Sequence, residues 1–228
     1  MPLVLRCLLL IFLGFSALPA LAEDRAPVDL ALVLAADCSG SVTTQGYRLQ
    51  QQGYADAFRD PRVIRAILSG LHGGIAVTYF QWSGPALQNQ IVTWTILRSP
   101  ADIAAFADKL AGAPRTIFGG GTSVSGAIDF GRHLIGQLPV EAMRLVIDVS
   151  GDGRTNNGRP APPARDEAVA AGITINGLPI LNQEPDIDRY YQDEVIGGPG
   201  AFMIPARDFD AFGEAIRQKL ILEIAALK

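Results

Sequence analysis

Five residues in this chain carry oxygens that could act together. Asp37, Ser39 and Ser41 alternate along Asp37-Cys38-Ser39-Gly40-Ser41, which puts a carboxylate and two hydroxyls in one short stretch. On a turn that curls, alternate residues converge, and Gly40 permits the backbone angles such a turn needs. Oxygen-only donors suit a hard cation such as Mg²⁺, with Mn²⁺ as the other candidate. Two further stretches offer matching groups. Thr122 follows Phe118-Gly119-Gly120-Gly121, and Asp152 stands in Ser150-Gly151-Asp152-Gly153. Each also has a plainer reading. Ser and Thr are favoured at helix starts, so Thr122 suits an ordinary cap. Asp-Gly is common turn chemistry, so Asp152 suits a plain turn.

For the three stretches to meet, the elements between them must bring their ends to one edge. A nearly unbroken apolar run over 30–36 closes on Asp37, as in a central parallel strand covered on both faces. Further strands are expected over 75–82, 91–97, 144–149, 173–180 and 201–204. The short link between the second and third predicts an antiparallel pair. Helical sequence spans 44–69, broken near Asp60-Pro61 because proline disfavours helix in the residue before it. Apolar residues at helical spacing predict helices over 103–110 and 124–138. A shorter helix over 165–171 and a closing one that carries Phe209, Phe212, Ile216 and Leu220 complete the alternation. The fold expected is α/β: a doubly wound (Rossmann-like), mostly parallel sheet of about six strands with one antiparallel edge strand and helices on both faces. Ligands of such sheets bind beyond the carboxyl ends of the strands, where the strand order reverses. In the common order that point lies between the first and fourth strands, which end at Asp37 and Asp152.

Composition narrows the class. The chain has 228 residues, 49% hydrophobic and only 18% charged. That excludes a disordered chain, which needs low hydrophobicity and high net charge. The 24 glycines have no three-residue period, which excludes a collagen helix. A formal charge of −4 without a Lys/Arg cluster argues against nucleic acid as a partner. Residues 1–22 read as a secretory signal: Arg6, an apolar run over 7–18 and the small-x-small ending Ala20-Leu21-Ala22. The run is too short to cross a bilayer, which takes about 20 residues. The reading is therefore a periplasmic or secreted protein with one domain over 23–228 and no membrane span after cleavage. Cys7 leaves with the signal, so Cys38 has no internal disulfide partner and reads as a small buried hydrophobe.

At Asp37-Cys38-Ser39-Gly40-Ser41 the sequence resembles the Asp-x-Ser-x-Ser signature of von Willebrand factor type A domains. Thr122 after its Gly run and Asp152 in its Gly-Asp-Gly turn are similar to the second and third parts of that family's metal-ion-dependent adhesion site. The likeness in order and spacing covers nearly all of the chain after the signal. A nearer likeness is to a bacterial set of exported proteins, catalogued only as a domain of unknown function. Gln81-Trp82-Ser83-Gly84-Pro85, Ile147-Asp148-Val149-Ser150-Gly151-Asp152-Gly153, Asn176-Gly177-Leu178-Pro179-Ile180 and Ile196-Gly197-Gly198-Pro199-Gly200 resemble that set's signatures. The resemblance implies a binding module. Ser39, Ser41 and Thr122 would approach the ion directly or nearly so, Asp37 and Asp152 often through water, and a partner's carboxylate would complete the shell. A site rich in neutral hydroxyls leaves the ion electrophilic toward an incoming anion.

One residue departs from that pattern. Asp148 shares a strand face with Ser150 and Asp152. It is expected to accept hydrogen bonds from hydroxyls or amides beneath the site; supporting the ligands or competing with them is the sharper alternative. His72 and His133 lie too far apart for a zinc motif. The loop around Asn156, Asn157 and Gly158 reads as a turn that could line the rim. Two functions follow. The first is a cation-dependent binding module for a protein or other ligand that presents a carboxylate. The second is a metal-assisted hydrolase of an anionic substrate; only Asp148 or Asp152 could then act as base.

Overall fold

The apolar run predicted as a central strand forms β1 (Leu30–Asp37), and every one of its residues is buried. The structure, a computed structural model, describes residues 26–225; the expected signal over 1–22 lies outside them. After β1 come α1 (Thr44–Arg59), α2 (Pro61–Leu68), β2 (Ile75–Trp82), β3 (Gln88–Leu97), α3 (Pro100–Ala111) and α4 (Val124–Ile135). Then follow β4 (Leu145–Gly151), α5 (Ala161–Ala170), β5 (Ile173–Pro179), α6 (Ile187–Tyr190), a π-helical turn over Tyr191–Val195 and α7 (Phe212–Ala225). The helix break at residue 60 has a local cause. Asp60 ends α1 and its side chain caps α2 by accepting the Arg62 N–H, while Pro61 opens α2 where its missing donor costs nothing.

The sheet order is β3-β2-β1-β4-β5. β1 runs parallel to β2 and β4, β4 parallel to β5, and β3 antiparallel to β2 at one edge. Alternate residues of β1 feed two cores. Leu30, Leu32, Leu34 and Ala36 pack with Tyr54, Phe58, Phe106 and Phe212 from α1, α3 and α7. Val33 and Ala35 pack on the other face with Ile128, Ala164 and Ile187 from α4, α5 and α6. This is the expected doubly wound sheet with helices on both faces, but it has five strands rather than six. The stretch expected as a strand over 201–204 only touches β5, through one isolated bridge at Met203, with others at Gly197 before it and at Ala206, onto Ile180, after it. Pro199 and Pro205 lack ladder donors, and Gly198 and Gly200 take φ of 96° and 71°, so an extended run cannot establish itself there. No helix among the described residues is long and apolar enough to cross a membrane.

From β1 the chain leaves into α1 on one face, and from β4 into α5 on the opposite face. The strand order therefore reverses between these two neighbours, and a crevice opens at their carboxyl ends.

Candidate metal-ion site

Ala36 pairs with Ser150 across β1 and β4, so Asp37 and Gly151 come next on adjacent strands. A Cβ at Gly151 would stand 2.9 Å from Asp37 Oδ2 and 3.0 Å from the Tyr191 hydroxyl, so only glycine lets the carboxylate lie there. The turn after β1 then curls back. Asp37 Oδ1 accepts the Ser39 N–H at 2.7 Å, and Oδ2 accepts the Asp152 N–H at 3.4 Å. Ser39 Oγ lies 2.9 Å from Ser41 Oγ, and the Ser41 hydroxyl donates to Asp152 Oδ1 at 2.5 Å. Four of the five predicted residues thus form one hydrogen-bonded set.

Thr122 arrives on the loop before α4. The capping role falls to its neighbour: Ser123 accepts the Gly126 N–H, which leaves the Thr122 hydroxyl uncommitted. Gly119, Gly120 and Gly121 all have positive φ, a path few other residues could follow. Ser83, just beyond β2, ties this path down, with its hydroxyl against the carbonyls of Gly119 and Gly121. Asn156 completes the clamp by accepting the Thr122 N–H at 2.8 Å and returning its own N–H to the Thr122 carbonyl at 2.9 Å. Thr122 Oγ1 lies 3.6 Å from where a Cβ on Gly153 would stand, beside Asp152. Among the described residues no hydrogen bond joins this hydroxyl to the other four.

The electrostatics of the set are unbalanced. Asp37 is fully buried; burial first, and the neighbouring Asp152 charge second, push its carboxyl up to about 7. Burial also raises Asp152, against the pull of the Ser41 hydroxyl. Among the described residues no Lys or Arg pairs with either carboxylate, and Asp152 Oδ2 is buried without a hydrogen-bond partner. An uncompensated buried carboxylate is costly, and a cation between the two would relieve both. The described residues contain no cluster of three or more His, Cys, Asp or Glu. Any ion here would rely on two carboxylates and hydroxyls, a donor set that suits a hard divalent cation.

Other expectations resolve differently. Asp148 does not rest on hydroxyls or amides; its partner is the Lys219 ammonium from α7, 2.8 Å away. Nothing near position 148 in the sequence signals a residue so distant. Cys38 is buried, and burial pushes its thiol up, as fits an inert hydrophobe. The His72 backbone N–H is bound by Asp29, and His133 lies against Phe130 and Gln137 on α4. Sequence reasoning missed the support beneath the site. Gln50 donates to the Asp37 carbonyl at 3.0 Å and accepts from Ser150, which also lies 3.0 Å from the Tyr54 hydroxyl. Gln50 and Tyr54 are four apart on a helix that starts right after the motif, and that spacing was the available signal. Glu184 was also missed. Its Oε1 stands 3.8 Å from the Cβ position of Gly153, at the rim.

Residues 27–228 match the family described as "Protein of unknown function (DUF1194)". No curated protein matches the chain. Several solved structures do. Proximal thread matrix protein 1 from the mussel byssus, with a zinc-occupied MIDAS motif, is similar at a TM-score of 0.62 and 14% identity, covering 88% of this chain and 49% of that one. A von Willebrand factor type A structure from Catenulispora acidiphila gives 0.59 and 16%, covering 87% and 43%. Manganese-loaded TRAP protein from Plasmodium vivax gives 0.55 and 16%, covering 86% and 73%. At these identities the likeness shows the fold, which is that of von Willebrand factor type A domains. The chain spans about half the length of the first two structures.

Proposed function

The chain belongs to the DUF1194 family, and from that premise we propose that it is an exported, divalent-cation-dependent binding module whose site engages a partner's carboxylate. One observation carries the reading: Asp37 and Asp152 are buried side by side, and among the described residues no cationic side chain lies between them and one Asp152 oxygen has no hydrogen-bond partner. Asp37, Ser39, Ser41, Thr122 and Asp152 hold the ion, Mg²⁺ or Mn²⁺. The ion supplies an electrophilic position toward an incoming anion. The chain's residues do the rest: the hydroxyls add no charge, so the two carboxylates balance the ion without a surplus that would repel an acid, and the Ser83 and Asn156 clamps hold the Thr122 loop in place. The solved relatives with zinc and manganese support a divalent ion as the occupant of this fold's site. The apolar run over 7–18 supports export, to the periplasm or beyond.

The test is calorimetric titration of Mg²⁺ and Mn²⁺ into chelator-stripped protein beside Asp37→Ala. Saturable binding is expected in the parent, weakened at least about tenfold to a hundredfold in the variant. Equal affinity in the two proteins overturns the assignment.

A further inference from the structure

We propose that the face around this site selects an acidic protein segment in which an apolar side chain stands next to the carboxylate. The proposal rests on the ion-binding reading and adds what an ion alone lacks, a preference among acids. Phe118, 75% exposed, stands at the start of the Gly119–Gly121 path. The Arg115 guanidinium lies 5.2 Å from its ring and 5.7 Å from the Tyr47 ring. Arg115 is fixed in turn: Nε donates to the Ile117 carbonyl at 2.8 Å, and Nη2 reaches the carbonyls of Cys38 and Ser39, each at 3.2 Å. The exposed ring is thus tied to the turn that carries Ser39. Leu87, 46% exposed, flanks the same path, its Cδ1 2.2 Å from where a Cβ on Gly120 would stand.

An exposed apolar side chain is ordinary; one set against a guanidinium beside a ligand site offers a contact surface of defined position. Charge decides what it contacts. Arg115 has no carboxylate partner among the described residues, whereas Arg154 across the site is paired with Glu184 at 2.7 Å and Asp186 at 2.9 Å. One rim is apolar and positive, and the other sets two carboxylates against one arginine. An acid on the ion would therefore place its apolar neighbour on Phe118 and Leu87, with Arg115 attracting the rest of an acidic segment.

The experiment pans the Mn²⁺-loaded parent, Phe118→Ala and Arg115→Gln against displayed peptides with a central Asp and randomised flanks, in Mn²⁺ and in EDTA. Mn²⁺-dependent enrichment of an aromatic or aliphatic residue beside the Asp is expected. Phe118→Ala should bind the selected peptides about tenfold more weakly, with Mn²⁺ affinity as in the parent. Arg115→Gln should flatten the salt dependence of peptide binding. Selection of acidic peptides without an apolar preference, or affinities that Phe118→Ala leaves unchanged, overturns the proposal and leaves the ion site standing. Two further results also overturn it: no Mn²⁺-dependent selection by a protein that binds Mn²⁺, and Mn²⁺-dependent dimerisation in sedimentation, which makes a second copy the occupant. A parent that binds no Mn²⁺ removes the ion reading, and this proposal with it.

Discussion

Two pairs of buried carboxylates lie at different depths along β4, each pair completed by a residue from a neighbouring element, and the fold treats them differently. Asp148 and Glu223 are sealed between the sheet and α7 with Lys219: its ammonium is 2.8 Å from Asp148 and 3.3 Å from Glu223. Asn176 donates to Glu223 at 2.7 Å, so this pair has a counter-charge built into the chain, one ammonium against two carboxylates, although Asp148 Oδ2 has no hydrogen-bond partner. Asp37 and Asp152, at the carboxyl ends of β1 and β4, have hydroxyls and amides but no ammonium among the described residues. Their surroundings also open outward, since Gly40 is exposed and Ser41 only half-buried. Burying charge is tolerable when the counter-charge is built in, and the first pair shows the chain can supply one. Its omission at the second pair leaves a position for something from solution.

The largest effect should come from breaking the pair that has its own counter-charge. Lys219→Met leaves two buried carboxylates without a counter-charge and should cost about 3–5 kcal/mol, read as a fall in the urea midpoint. The folded fraction should still bind Mn²⁺ like the parent. A loss no larger than that of an ordinary surface substitution would erase the contrast between the pairs.

A pH series separates them next. Burial raises the Asp37 carboxyl from its ordinary 3.8 to about 7, so the folded protein holds that proton more tightly than the unfolded chain. In EDTA, the stability this group contributes is full below about pH 4 and is lost as pH rises through about 7. Burial raises Asp148 as well, against the pull of Lys219, so it acts in the same direction. Thermal midpoints should therefore fall in EDTA as pH rises from about 4 to about 8, and Mn²⁺ should restore the share of Asp37 and Asp152 and leave that of Asp148. Restoration that persists in Asp37→Asn would place the ion elsewhere.

The smallest effect tests the clamp alone. Asn156→Ala frees the Thr122 loop without touching a carboxylate, and should weaken Mn²⁺ by about tenfold at most in the same calorimetry. An effect as large as that of Asp37→Ala would make the loop, not the carboxylates, the main source of affinity.

Most of the frame was legible because burial writes itself into sequence. The apolar run into Asp37 and the β2–β3 hairpin follow from local pattern, and so does the α1–α2 break at Asp60-Pro61. The convergence of Asp37 with Ser39, Ser41 and Asp152 was legible because strand ends and short turns fix where those residues sit. What escaped depends on contacts between distant segments. Lys219 under Asp148 lies 71 positions away along the chain, and Asn156 holds Thr122 from another loop. The expected sixth strand failed for a different reason: Ala201 to Ile204 has strand-like composition, but the glycines and prolines that flank it let it touch β5 only at a point.

Those touches have a consequence for assembly. The bridges at Gly197, Met203 and Ala206 fasten a covering segment along β5, so a further strand cannot lie flush there. On the opposite side, β3 has no second strand partner among the described residues. The sheet is thus open at one border and shut at the other. Growth by strand addition would join two molecules through β3 and then stop, because each remaining border is already closed.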